Sequence, residues 1–146
     1  MKILFVCAGN TCRSPMAKVI MERKLIAAKK NDKLAIDSGA YTVPTSNKAT
    51  NEARETIKIK YGRDLLAVHK PKRITQALVG HADIILVMEG WMKAGLPPNK
   101  TFTLKEFAGS PGDISDPFRQ GLDVYLDVAV QIFEAIDKIL PKLQDC

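Results

Sequence analysis

Apolar and polar positions along the chain follow two alternating rhythms. The runs Lys2 to Val6 and Asp83 to Met88 are short, dominated by Ile, Leu, Val and Phe, and bounded by loop residues, as strands buried on both faces should be. Leu34 to Asp37 and Thr101 to Leu104 carry a fainter version of the same signal. Between these runs the period lengthens. Pro15 to Ala28 reads as a helix opened by Ser14 as N-cap with Pro15 at its first position. From Asn51 to Tyr61, Ala53, Ile57 and Tyr61 recur every fourth residue until Gly62 stops the pattern, and a shorter helix covers Thr75 to Gly80. Toward the end, Leu122, Leu126, Ala129, Phe133, Ile136 and Leu140 alternate spacings of four and three, drawing one apolar stripe that should dock on the sheet.

Strands alternating with helices predict an α/β fold: a three-layer sandwich in which a four-stranded parallel sheet, joined by right-handed crossovers, is flanked by helices. No repeat, low-complexity tract or long linker divides the chain, so residues 1–146 are expected to form one domain. One segment, Lys105 to Gly121, is rich in Gly and Pro and has no period, which marks a functional loop.

Composition narrows the class. The longest apolar run, Ile3 to Ala8, is far short of the roughly 18 to 20 residues that a membrane-spanning helix needs, and it meets Asn10 and Arg13 too early for a secretory signal. Val6 also stands where a lipoprotein anchor at Cys7 would want a small residue. A cytoplasmic monomer with reduced thiols is expected, without membrane association. The 22 Lys and Arg against 16 Asp and Glu leave a charge of +6, which favours anionic partners. These cations are scattered and form no stripe interleaved with aromatics, so nucleic acid is not among the expected partners.

The loop after the first strand carries the chemistry. Cys7-Ala8-Gly9-Asn10-Thr11-Cys12-Arg13-Ser14-Pro15 links a parallel strand to a helix, which aims several backbone N–H groups and the positive end of a helix dipole at one point. That is a cradle for a phosphate, with Gly9 and Asn10 able to take left-handed conformations. A thiol at its base is stabilised as thiolate, the nucleophilic form. Arg13 can grip two phosphate oxygens with its planar fork, and Ser14 can donate a hydrogen bond to the sulfur. Taken singly, Cys7 could be a small buried hydrophobe. The joint pattern of strand, Cys, five residues, Arg, Ser-Pro and helix argues for a nucleophile instead. No Walker-type glycine loop is present, and Cys7 with Cys12 supplies only half a zinc site, so neither metal nor cofactor is expected. A proton donor opposite the nucleophile could be Asp113 or Asp116. Asp116 is favoured because Pro117-Phe118 follows it, stiffening the loop and placing an aromatic wall.

The segment Val6 to Ala17, V-C-A-G-N-T-C-R-S-P-M-A, resembles the signature of the low-molecular-weight protein tyrosine phosphatases, and its Thr11 is similar to the variant found in bacterial protein-arginine phosphatases of that superfamily. The likeness continues through Asp37-Ser38-Gly39, His69, Val87-Met88, Thr103 to Phe107, Asp116-Pro117-Phe118 and the final helix. The resemblance implies catalytic roles for Cys7, Arg13 and Asp116, and substrate contacts from Ala8, Gly9, Asn10, Thr11, Cys12, Ser14 and Phe118. It further implies that Ser38 and His69 join Asn10 in bracing the loop, and that Cys12 can form a reversible disulfide with an oxidised Cys7. A phosphorylated protein is the implied substrate, with phosphotyrosine and phosphoarginine both open and a phosphocysteine intermediate. Pro44, Lys72 and Phe118 depart from the commoner aromatic, Arg and Tyr. Two other functions share the scaffold: a thiol-dependent arsenate reductase, against which this chain has no relay cysteine between Cys12 and Cys146, and a phosphate-binding module without turnover, against which Cys7, Arg13 and Asp116 are all present.

Overall fold

The computed structural model describes residues 1–144, and Cys146 lies outside that range. Four strands, β1 (Lys2–Cys7), β2 (Ala35–Ala40), β3 (Ile84–Val87) and β4 (Thr101–Thr103), form one sheet in the order β2-β1-β3-β4. Every pairing is parallel. Helices α1 (Arg13–Ala27), α2 (Asn51–Tyr61), α3 (Gln76–His81), α4 (Leu104–Phe107) and α5 (Leu122–Gln144) complete the architecture. This is the α/β sandwich expected from the alternation of strand and helix.

Side-chain alternation along the central strand splits the core in two. Ile3, Phe5 and Cys7 point to the layer that holds Met16 and Ile20 of α1 with Ile132 and Ile136 of α5. Leu4 and Val6, joined by Ile85 and Val87, point the other way, onto Met92 and the edges of Leu78 and Val79. Period-two packing on both faces makes β1 and β3 read as unbroken apolar runs.

Several local details differ from the sequence reading. Helix α1 starts at Arg13 with Cys12 in the cap position, so Ser14 lies inside the first turn and is not the N-cap. Its hydroxyl is taken by Cys7 and Asn10 instead. Strand β2 runs on past the expected end at Asp37 through Ser38 and Gly39 to Ala40, because pairing with β1 holds it extended. Gly39 is required there: a Cβ would lie 2.7 Å from Ile74 Cγ2. The aperiodic segment 105–121 is not wholly loop, since α4 occupies its first residues under a capping box made by Thr103 and Glu106.

Helix α5 packs beside α1, with further contact to α2 and α4, and turns Ile132 and Ile136 into the same core as Ile3 and Phe5 of β1, as expected. Its buried face holds Tyr125, Val128, Ala129, Ile132, Ala135, Ile136, Ile139 and Leu143. Of the expected stripe, Ala129 and Ile136 lie in that face, while Leu122, Leu126, Phe133 and Leu140 are half-buried along its edge. None of the helices among the described residues is long and apolar enough to cross a membrane.

Sheet order places the turn-around of the chain between β1 and β3. Loops leaving the carboxyl ends of these two strands run to opposite faces, and the crevice between them is where ligands settle in open α/β sheets.

Candidate active site

The loop from Cys7 to Cys12 occupies that crevice. Cys7 is 2% exposed, yet its sulfur is not sealed in hydrocarbon. Sγ lies 2.9 Å from Ser14 Oγ and receives the Ser14 backbone N–H at 3.4 Å. It also lines a pocket of about 170 Å³ together with Ala8, Gly9, Thr11, Cys12, Arg13, Asp116 and Phe118. Thr42, Val43 and Thr45, which sequence reasoning did not single out, complete the rim.

The loop is curled by Asn10. This residue, and not Gly9, takes the left-handed conformation, with φ of 56°. Its fully buried side chain shows why. Nδ2 donates to Ser14 Oγ at 2.8 Å and to Ser38 Oγ at 3.0 Å, while Oδ1 accepts the Lys72 backbone N–H at 3.1 Å. His69 Nε2 meets the Asn10 carbonyl at 2.8 Å, which requires that nitrogen to carry the proton. Burial pushes the His69 imidazole below its ordinary range despite that bond. Ser38 and His69 thus hold the loop from behind, and neither lines the pocket. Lys72 adds a second tie through Nζ, 2.9 Å from Asp37. Burial works against the Asp37 carboxylate, but Lys72 and the Ser38 N–H hold it below the usual carboxylate range.

Arg13 is the most telling group. Only 1% exposed, it spends Nη1 on the Ile114 carbonyl at 2.6 Å and on Glu89 Oε2 at 3.4 Å. Nη2 has a longer contact, 3.7 Å to Asp116 Oδ2, and the buried Nε has no hydrogen-bond partner among the described residues. Nε and Nη2 form one edge of the guanidinium, so the side that can grip two oxygens of a tetrahedral anion is the side left open. A buried donor without a partner is costly unless a ligand supplies one.

The two candidate acids part company here. Asp113 turns its Oδ1 to the Gly90 N–H at 2.9 Å, opening the short 3-10 turn Gly90–Lys93. Asp116 instead lines the pocket, and Oδ1 accepts the Phe118 N–H at 3.0 Å, so the carboxyl is oriented by its own turn. Phe118 is 48% exposed at the mouth, with Arg119 against its ring.

Cys12 also lines the pocket, with its sulfur set among hydroxyls. Its Sγ lies 3.2 Å from Tyr125 Oη and 3.6 Å from the hydroxyls of Thr50 and Thr11. Burial pushes its thiol up. Cys7 and Cys12 are both free in this structure.

Known proteins match nearly the whole chain. Residues 2–145 match the family model described as low molecular weight phosphotyrosine protein phosphatase. A protein-arginine-phosphatase of Bacillus subtilis (strain 168) is 32% identical over 99% of this chain and 97% of its own. The crystal structure of a low molecular weight protein tyrosine phosphatase from T. tengcongensis shares 37% identity with a TM-score of 0.89, covering 97% of this chain and 99% of that one. The YwlE arginine phosphatase, solved as a mutant with serine replacing cysteine and that active-site serine phosphorylated, has a TM-score of 0.89 at 31% identity over 99% of this chain and 96% of that one.

Proposed function

This chain belongs to the low molecular weight phosphotyrosine protein phosphatase family, and from that membership we propose the roles of its residues and its preferred substrate. It is a phosphoprotein phosphatase that works through a phosphocysteine intermediate, the chemistry captured by the phosphorylated serine of its relative. In our assignment Cys7 is the nucleophile. The amides from Ala8 to Ser14 and the open Nε/Nη2 edge of Arg13 bind the phosphoryl oxygens, with Gly9, Asn10, Thr11 and Cys12 contributing backbone. The single observation that carries this reading is Arg13 Nε, buried and without a hydrogen-bond partner among the described residues, on an edge whose Nη2 has only the 3.7 Å contact to Asp116.

The reaction then takes two displacements. Cys7 Sγ attacks phosphorus in line, the bond from phosphorus to the substrate atom breaks, and Asp116 delivers a proton to the departing oxygen or nitrogen. Asp116, now a carboxylate, accepts a proton from water as that water attacks the phosphocysteine. Inorganic phosphate leaves and the sulfur departs as thiolate, supported by the Ser14 hydroxyl at 2.9 Å. Phe118 provides the wall against which the substrate side chain lies. Asn10, Ser38 and His69 keep the loop in its curled form between turnovers. Two free cysteines in such a site fit the reducing cytoplasm.

Phosphoarginine is the substrate we assign. Thr11 lines the pocket with a polar, β-branched side chain where a hydroxyl can orient the attacking water. A relative from Bacillus subtilis is a protein-arginine-phosphatase. Phosphotyrosine is the second reading, favoured by the T. tengcongensis relative. The test is a parallel assay, without added metal, on one protein phosphorylated on arginine and one phosphorylated on tyrosine. The wild type should release phosphate faster from the first, Thr11→Ile should shift the ratio toward the second, and Cys7→Ser should turn over neither. Undiminished activity of Cys7→Ser removes the nucleophile assignment, and an unmoved ratio in Thr11→Ile removes the substrate assignment.

A further inference from the structure

Beside the catalytic mouth stands an aromatic group that the reaction does not use. Trp91, the only tryptophan of the chain, is 53% exposed on the short turn that follows β3. Exposed tryptophans usually swing; this one is held at two points. Its Nε1–H donates to Glu89 Oε2 at 2.8 Å, the same oxygen that lies 3.4 Å from Arg13 Nη1. Its ring meets Tyr41 edge-on, with centroids 5.4 Å apart and planes at 89°. Tyr41 is itself anchored, its hydroxyl donating to the Ala94 carbonyl at 2.6 Å and its backbone N–H to the Cys7 carbonyl at 2.8 Å. The brace therefore begins at the nucleophile's own backbone and ends one carboxylate oxygen away from the phosphate-binding arginine.

An immobilised, solvent-facing indole loses little conformational entropy when something covers it, which is the property of residues that dominate interfaces. The polar atom of Trp91 is already bonded, so what it offers to solvent is ring. Glu89 is neutralised by Arg13, leaving no free carboxylate against the ring to attract a cation. Val43, 65% exposed, lies on the pocket rim, and Thr42 is fixed to the loop by its bond to the Ala8 carbonyl. A phosphorylated side chain reaching Cys7 brings its neighbours along the substrate chain to the surroundings of the rim, and Trp91 is one carboxylate, that of Glu89, removed from the Arg13 that lines it.

We propose that Trp91, braced by Tyr41 and Glu89, is a docking shelf for an apolar side chain next to the phosphorylated residue of a protein substrate. The proposal rests on the phosphoprotein phosphatase reading above and adds a preference for the flanking sequence.

The test compares kcat/KM for phosphopeptides whose flanking residues are Leu, Gly or Lys with that for para-nitrophenyl phosphate, which has no flank. In the wild type the Leu-flanked peptide should exceed the Gly-flanked one by about tenfold through KM, as loss of one aromatic anchor implies. Trp91→Ala should erase that ratio, while Trp91→Phe, which keeps a ring but loses the bond to Glu89, should retain most of it. Equal loss on every substrate, para-nitrophenyl phosphate included, would mean that the indole acts only through Glu89 on Arg13 and overturns the shelf. So would a Leu-to-Gly ratio near one in the wild type, or a preference for the Lys flank. Wild-type protein that hydrolyses para-nitrophenyl phosphate but none of the peptides overturns the phosphoprotein reading itself, which separates the two failures.

Discussion

Replacing Asn10 by Ala removes the keystone of the loop at a cost that the structure allows to be worked out. Three hydrogen bonds vanish, to Ser14 Oγ, Ser38 Oγ and the Lys72 N–H, all within the buried network behind Cys7. Each contributes about 1 kcal/mol net, and a residue with a Cβ but no local hydrogen bond at φ of 56° adds about 1 kcal/mol of strain. The expected loss is about 4 kcal/mol, a large share of the roughly 5 to 15 kcal/mol typical of a whole domain. Asn10→Gly separates the two contributions, because glycine loses the same bonds yet adopts a left-handed backbone freely. It should be about 1 kcal/mol more stable than Asn10→Ala. Urea unfolding with an unchanged slope is the assay. If Asn10→Ala costs less than about 1.5 kcal/mol, or the glycine variant is no better than the alanine one, the network does not hold the loop in the way described.

Asp116→Asn keeps the turn to the Phe118 N–H but removes the transferable proton, so kcat should fall by roughly 100-fold or more while inhibition by vanadate shifts little. A fall in kcat of only a few fold would move the acid elsewhere. His69 gives a pH signature. Because burial depresses its folded-state proton affinity, the unfolded chain binds the proton more readily, and the neutral ring's contribution is complete above the ordinary value near 6.5. That contribution is lost as pH falls through the folded value. Thermal melting from pH 8 down to pH 5 should therefore show a decline in the wild type that is shallower in His69→Gln, which can still donate to the Asn10 carbonyl. Parallel declines in the two proteins would remove His69 as the source.

What the sequence made legible were the parts whose logic is local. The buried strands β1 and β3, the caps of α2 and the segment Cys7 to Pro15 each carry their signal within a few adjacent residues. Asp116 was legible for the same reason, through the Asp-Pro-Phe triplet. The capping box Thr103-Leu104-Lys105-Glu106 is also written in the chain, but a four-residue helix is too short to show a period, so the lack of periodicity predicts a loop from Lys105 onward. Ser14 looked like a cap because serine before proline usually is one; the buried amide of Asn10 outcompeted that role. Glu89, the Ile114 carbonyl and Trp91 gave no signal at all. Each acts on or near Arg13 across the fold, Ile114 from 101 residues away, and contact at that separation depends on sheet order alone.

On the roles proposed for Arg13 and Asp116, one carboxyl serves two purposes. A guanidinium only 1% exposed needs compensation, which comes from the Ile114 carbonyl, Glu89 and, more loosely, Asp116. The first two lie on Nη1 and do not obstruct the open edge. The third lies on Nη2, at 3.7 Å, with the carboxyl 46% exposed, a contact worth at most about 1 kcal/mol in water-screened surroundings. A phosphate on the Nε/Nη2 edge forms two charge-assisted bonds, each contributing about 1.5 to 3 kcal/mol, and also partners the orphaned Nε. In the proposed mechanism the phosphate therefore displaces Asp116 from Arg13 rather than competing with it on equal terms. The carboxyl, still tethered by the Phe118 N–H within the same pocket, would then turn toward the leaving atom as the substrate arrives.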